Sequence, residues 1–370
     1  MNSRSFAAPV VQDREAMEEF ADVLTDRAPQ VERDVARLKN AAADREVTAD
    51  LFRAIHNIKG DAALCKFQLG VQLAHPIESL MSRFRDGEFP FSDLLAELIL
   101  LSIDRLELAT DATLTGRSLE PLRLDHLLQG LNEISQAPAE QIDLLAADLI
   151  EEVTGFRPIS GPRSSSTPHP ASPPAAEQEG LSQDDLEFFR SLALQFESRS
   201  PLFKGRTARI LKLAQETNRI AGSPVDPRQL EAAIYIHDLG MMLLPESIWL
   251  KVGRMSDEEK QILRNHPGFA SGLLQRIPGW EAAAQMVAQH HEMHDGGGYP
   301  LALKNDEITP GAKILAIVDA FEAVMLKHIH RGKNRSVLRA IAEINAGNKQ
   351  FSPEWIEPFN AVIRKTLENA

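Results

Sequence analysis

The sequence predicts an all-α protein of two helical domains joined by a linker, and three observations carry that reading. Apolar residues recur at spacings of three and four along most of the chain, while period-two alternation with β-branched enrichment is scarce. Helix-start signals precede several of those apolar runs. The segment from Arg157 to Gly180, RPISGPRSSSTPHPASPPAAEQEG, is dense in Pro, Ser and Ala and almost empty of large apolar residues. Such a segment cannot bury enough surface to offset the entropy of ordering it. The expected division is a four-helix-type bundle within 11–156, a flexible linker over 157–180 and a helical domain over 181–370.

Taken in order, Thr48 reads as the N-cap of a helix whose buried stripe is Leu51, Ile55, Ile58 and Ala62. Residues 119–156 also have helical spacing, and either extend the bundle or begin the connection. Ser256-Asp257-Glu258-Glu259 is a capping-box pattern leading into Ile262 and Leu263. Ser352-Pro353-Glu354 sets a cap, a first-turn proline and an acid in the order that opens a helix.

Composition narrows the function. A chain of 370 residues has room for two cores. Its formal charge of −13, without a Lys/Arg-rich stripe, disfavours long nucleic acids. Small phosphorylated ligands stay open, since a bound metal ion can invert the local electrostatics. The lone Cys65 excludes a disulfide framework and fits a reducing cytosol. No signal segment or membrane-length apolar run is visible, so the expected location is cytoplasmic, away from membrane.

The first chemical signal lies in LFRAIHNIKGDAALCKFQLGVQLAHPIESLMSRFRDG, from Leu51 to Gly87. On a helix His56, Lys59 and Gly60 share a face, with the apolar residues turned elsewhere. A histidine that carries a phosphoryl group needs exposure, a nearby cation, and no bulk in the path of the incoming protein. The stretch resembles histidine phosphotransfer (HPt) domains, most closely those of chemotaxis histidine kinases. The resemblance makes His56 the phospho-accepting residue, supported by Lys59, Gly60, His75 and Glu78, with Glu78 orienting the imidazole. Lys66 departs from the pattern, standing where those domains usually carry a turn glycine. The implied partner is the receiver domain of a response regulator or a hybrid histidine kinase.

The second signal is His290-His291-Glu292-Met293-His294-Asp295-Gly296-Gly297-Gly298-Tyr299-Pro300, with His237-Asp238 and His266 upstream and Asp319 downstream in an apolar helical run. Imidazoles and carboxylates suit first-row cations, and shared carboxylates can bridge two of them. Over roughly 181–370 the chain resembles the HD-GYP family of cyclic di-GMP phosphodiesterases. That resemblance implies a metal site built from His237, Asp238, His266, His290, His291 and Asp319, followed by a loop carrying Gly298, Tyr299 and Pro300. It places His266, His290 and His291 on one ion, His237 and Asp319 on another, and Asp238 between them. Three positions depart from the family site. Phe203 stands where an earlier histidine is expected, Arg199 where some members have glutamate, and Met241 where a lysine is usual.

The expectation is a phosphorelay-linked bacterial signalling protein. Its HD-GYP domain would bind one or two divalent ions (Fe, Mn, Ni or Zn) and hydrolyse cyclic di-GMP, with phosphotransfer at His56 as regulatory input. The alternative is a catalytically degenerate HD-GYP domain acting as a phosphorylation-controlled binding module. Turnover and self-association as a homodimer are left open by the sequence.

Overall fold

The computed structural model of the protein describes residues 13–40, 44–156, 158, 183–251, 255–329, 337–347 and 350–368. Among these the regular elements are all helices, beside one isolated antiparallel bridge between Asp295 and Lys304. None of those helices is long and apolar enough to cross a membrane. The expected linker over 157–180 lies outside the described residues, Pro158 excepted. The chain divides into two compact units, one of residues 1–160 with 327–346, the other of 161–326 with 347–370. The sequence reading assigned the whole of 181–370 to one domain, whereas the described residues of 327–346, which include 337–346, go with the first unit.

In the first unit α1 (Arg14–Asn40), α2 (Arg45–Leu64), α3 (Gln68–Arg85) and α4 (Asp93–Thr115) form the bundle, α2 packing on α1 and α3, and α4 on α1. Phe20, Leu24, Leu51, Ile55, Ile58, Leu73 and Ile77 are fully buried between them. Each such side chain contributes about 1.5–3 kcal/mol by leaving water. The cap of α2 is Asp44, not Thr48 as the sequence suggested. The Asp44 carboxylate accepts from the amides of Glu46 and Val47, and the Thr48 hydroxyl donates to the Asp44 carbonyl. An ionised acceptor at a helix start also meets the positive end of the dipole, so it outcompetes a hydroxyl inside the first turn. At the other end the amide of Phe67 donates to the Ala62 carbonyl and that of Lys66 to Ala63, with Lys66 at φ 56°. That is a Schellman termination, with lysine in the left-handed position that favours glycine.

Residues 119–156 extend the bundle. They contain α5 (Leu124–Gln136), which packs on α3, and α6 (Ile142–Thr154), which packs on α5 and α4. α15 (Val337–Ala346) packs on α4 and α6. Its Arg339, only 2 % exposed, forms ion pairs with Asp104 and Glu32, while Arg105 donates to the Ala342 carbonyl over 3.1 Å.

The second unit comprises α7 (Gln183–Glu197), α8 (Arg206–Ile220), α9 (Pro227–Ile236), α10 (Glu246–Trp249), α11 (Asp257–Leu263), α12 (His266–Leu274), α13 (Glu281–Gln289), most of α14 (Pro310–Ile329) and α16 (Pro353–Glu368). Ser256 and Glu259 make the expected capping box of α11, and Pro353 opens α16. α9 packs against α7, α8 and α13. Trp280, fully buried, meets Phe189 edge-on with ring centres 5.3 Å apart and donates to Asp185 over 3.0 Å. His237 and Asp238 follow at the C-terminal end of α9.

Candidate functional site

On the bundle, α2 carries His56, Lys59 and Gly60 against Glu78 of α3. His56 is exposed and its Nδ1 lies 2.5 Å from Glu78 Oε1, while Lys59 donates to Glu78 Oε2. A carboxylate only accepts, so His56 Nδ1 carries a proton, and the neutral tautomer that fits this bond has its lone pair on Nε2. Burial alone would raise the Glu78 carboxyl, but the bonds from Lys59 and His56 outweigh it and hold it below its usual value. His75 is less closely engaged, 3.7 Å from Glu78. The face is left open: a Cβ on Gly60 would meet nothing within 4 Å. The structure thus gathers His56, Lys59, Gly60 and Glu78 on one surface, with His75 at its edge.

In the second unit six candidate ligands converge in two groups, His266 with His290 and His291, and His237 with Asp238 and Asp319. His237 and Asp238 leave α9, His266 opens α12, His290 and His291 follow α13, and Asp319 lies within α14. Gly240 makes the close packing feasible, since a Cβ there would lie 2.1 Å from the His266 carbonyl oxygen.

The two groups differ electrically. His266 Nδ1 lies 2.7 Å from the Leu263 carbonyl and His290 Nδ1 2.7 Å from that of Val287. Carbonyls only accept, so both rings donate from Nδ1, and a neutral ring then has a bare Nε2. Those Nε2 atoms face one another at 3.3 Å, and His291 Nε2 is 3.2 Å from that of His266. Burial lowers all three imidazoles, His290 most strongly with the help of its neighbouring rings, and His291 to about 4. Lone pairs directed at one another in a buried site are unfavourable until an electron-pair acceptor, such as a cation, lies between them. Asp238 Oδ1, 3.6 Å from His266 Nε2, is buried and has no hydrogen-bond partner. The donor set of three imidazoles and one orphaned carboxylate oxygen fits a divalent transition metal.

The second group already holds a cation. Arg206, buried at the start of α8, places Nη1 2.8 Å from Asp238 Oδ2 and donates from Nη2 to Asp319 Oδ1. His237 donates from Nδ1 to the Ile234 carbonyl, and its Nε2 lies 3.2 Å from Asp238 Oδ2. Burial would lower His237, but Asp238 and Asp319 outweigh it and push the imidazole up to about 9. Against the same burial, His237 and Arg206 hold Asp238 and Asp319 well below the carboxylate range. Phe203, at the expected histidine position, stacks on Phe196 and Trp249 with ring centres 5.5 and 6.3 Å away. Arg199 is exposed and pairs with Glu246, and Met241 is half-buried.

After the double histidine the chain turns back over the site. Tyr299 stacks on His291 with ring centres 4.8 Å apart, and the Arg264 guanidinium lies over the Tyr299 ring, 5.2 Å from its centre. A Cβ on Gly298 would lie 2.3 Å from the Met293 amide nitrogen, so the return is closed to any larger residue. Glu292, buried, accepts from the amides of Leu301 and Leu303 at 2.7 and 2.9 Å and fixes the loop containing Pro300. Arg206 and Glu292 escaped the sequence reading. The available signals were a charge one helical turn after the missing histidine, and an acid directly after the pair that needed a partner.

Residues 192–354 match the family model for the HD domain and residues 16–109 that for the Hpt domain. The chain is 32 % identical over 140 residues to a cyclic di-GMP phosphodiesterase of Thermotoga maritima, covering 37 % of this chain and 38 % of that protein. It is 32 % identical over 123 residues to the cyclic di-GMP phosphodiesterase response regulator RpfG of Xanthomonas campestris pv. campestris, covering 33 % and 30 %. To the 3'3'-cGAMP-specific phosphodiesterase 2 of Vibrio cholerae it is 28 % identical over 154 residues, covering 41 % and 30 %. The matches thus span less than two fifths of these relatives' lengths.

Proposed function

We propose, from a chain that joins an Hpt domain to an HD domain of the HD-GYP kind, that it is a phosphorelay-linked bacterial signalling protein whose second unit binds a divalent metal and hydrolyses cyclic di-GMP. The observation that carries the reading is the buried convergence of His266, His290 and His291 with the orphaned Asp238 Oδ1. Those four residues would hold the ion. Bound there, it supplies Lewis acidity toward a phosphoryl oxygen and lowers the pKa of a water. The protein's own groups bind and orient: Tyr299 and Arg264 offer a ring and a guanidinium beside His291, suited to a base and a phosphate. Glu292 holds that loop in place.

His56 is the phosphoryl acceptor in this reading. Glu78 fixes its tautomer so that Nε2 is the free nucleophile, and Lys59 lies where it can meet the new negative charge. The receiver domain of a response regulator is the partner. The divided second group favours a second reading, a binding module that holds nucleotide without cleaving it, because Arg206 lies between Asp238 and Asp319.

Two assays test the proposal on the whole chain. Phosphorylated receiver domains should label the protein, and His56→Gln should abolish the label. Cyclic di-GMP incubated with Mn(II)- or Fe(II)-loaded protein under reducing, anaerobic conditions should be cleaved. Nucleotide bound but uncleaved supports the module, and neither binding nor cleavage removes both readings.

A further inference from the structure

We infer that the Arg206 guanidinium serves as the built-in second cation of this centre, so that the chain binds one divalent ion, at His266, His290, His291 and Asp238 Oδ1, and not two. The inference rests on the metal-centre reading above. Two carboxylates and an imidazole, His237, Asp238 and Asp319, could hold a second ion, but they do not fit one as arranged. Arg206 Nη1 is 2.8 Å from Asp238 Oδ2, Nη2 donates to Asp319 Oδ1, and the same Nη2 is 3.5 Å from His237 Nε2. One guanidinium therefore contacts every member of the group.

Three features make this more than a passing ion pair. Arginine is permanently charged and has no lone pair to give a metal, so it can only replace an ion here and never join one. Arg206 is the first residue of α8, where the helix dipole disfavours a cation. Its place there is offset by the two carboxylates it meets. That helix start is in turn fixed by Glu197, whose carboxylate accepts from the amides of Gly205 and Thr207, with Gly205 at φ 74°. Phe203, one turn earlier, supplies no ligand; it stacks on Phe196 and Trp249 and lies 5.9 Å from the Arg206 guanidinium carbon. The position of the lost imidazole and the guanidinium are thus neighbours on one short stretch.

The division of Asp238 is the sharpest sign. Its Oδ2 is taken by Arg206 and His237, whereas its Oδ1 is unpartnered and faces His266. One carboxylate links a filled cation position to an open one. Asp319 and His237 then act as positioning residues for Arg206.

The test counts metal on the full chain. Purified protein saturated with Mn(II) and desalted should carry one ion by elemental analysis, and its electron paramagnetic resonance spectrum should be that of an isolated ion. Asp319→Asn should leave the count at one. Arg206→Ala, if it folds by circular dichroism, should admit a second ion. Two ions in the native chain with an exchange-coupled spectrum, loss of the ion in Asp319→Asn, or a folded Arg206→Ala that stays at one would each overturn the assignment of Arg206. No Mn(II) bound at any concentration overturns the metal-centre reading itself, and this inference with it.

Discussion

Gly60→Ala separates what the bundle needs from what its partner needs. Gly60 lies inside α2, one turn beyond His56, and a Cβ there would meet nothing within 4 Å. Internal packing therefore gives no reason for glycine, which is about 1 kcal/mol less favourable than alanine in a helix interior. The substitution should stabilise the first unit by about 1 kcal/mol and raise its melting midpoint by about 2–4 °C for a unit of this size. The same methyl stands on the face that offers His56. Forcing a methyl into a fitted contact costs about 1–3 kcal/mol, or about 5- to 150-fold in the second-order rate constant for transfer. Urea unfolding of the whole chain reads the first effect. Rapid-quench transfer from a phosphorylated receiver domain reads the second. A stabilised protein with unchanged transfer would refute the docking face, and a destabilised one would refute the packing argument beneath it.

Two further outcomes follow from the same unit. Lys66→Gly should raise the urea midpoint by a gain of about 0.5–1 kcal/mol, since relief at φ 56° outweighs the added chain entropy; an unchanged or lower midpoint would contradict this, and phosphotransfer should stay the same. Glu78 predicts an acid limit. Its folded carboxyl lies below the ordinary 4.5 because Lys59 and His56 overcome burial, so its contribution is complete above the unfolded value and is lost as pH falls through the folded one. Unfolding free energies measured between about pH 6 and pH 3 should fall less steeply in Glu78→Gln than in the native chain; parallel curves would remove Glu78 as a source of the dependence.

Much of both sites was legible because their chemistry is carried by rare residue types at helical spacing. His56 and Lys59 sit one turn apart, and an ionised Asp319 in an apolar run demands a partner wherever the run folds. The particular partner was not legible. An arginine at a helix start is ordinarily solvated, and only the approach of α8, α9 and α14 brings Arg206 to Asp238 and Asp319. The Asp44 cap was missed for a local reason, because two good caps lie four residues apart and the apolar stripe begins near the later one. The place of α15 was hidden for a different reason. Its apolar face, Ala340, Ile341 and Ile344, has the same periodicity whichever bundle covers it.

That place of α15 limits how the chain can be shuffled. The HD family match runs from 192 to 354 and therefore includes α15, yet Arg339 of α15 is buried against Asp104 and Glu32 of the bundle. Removing the partners of a buried ion costs about 3–5 kcal/mol, a large share of a domain's stability. A recombination event that cut at the proline-rich stretch would strand Arg339 on one side and its two carboxylates on the other. The halves look like beads on a string in the sequence, but they have to be inherited together, and a change at Asp104 or Glu32 must be matched 235 or 307 residues away at Arg339.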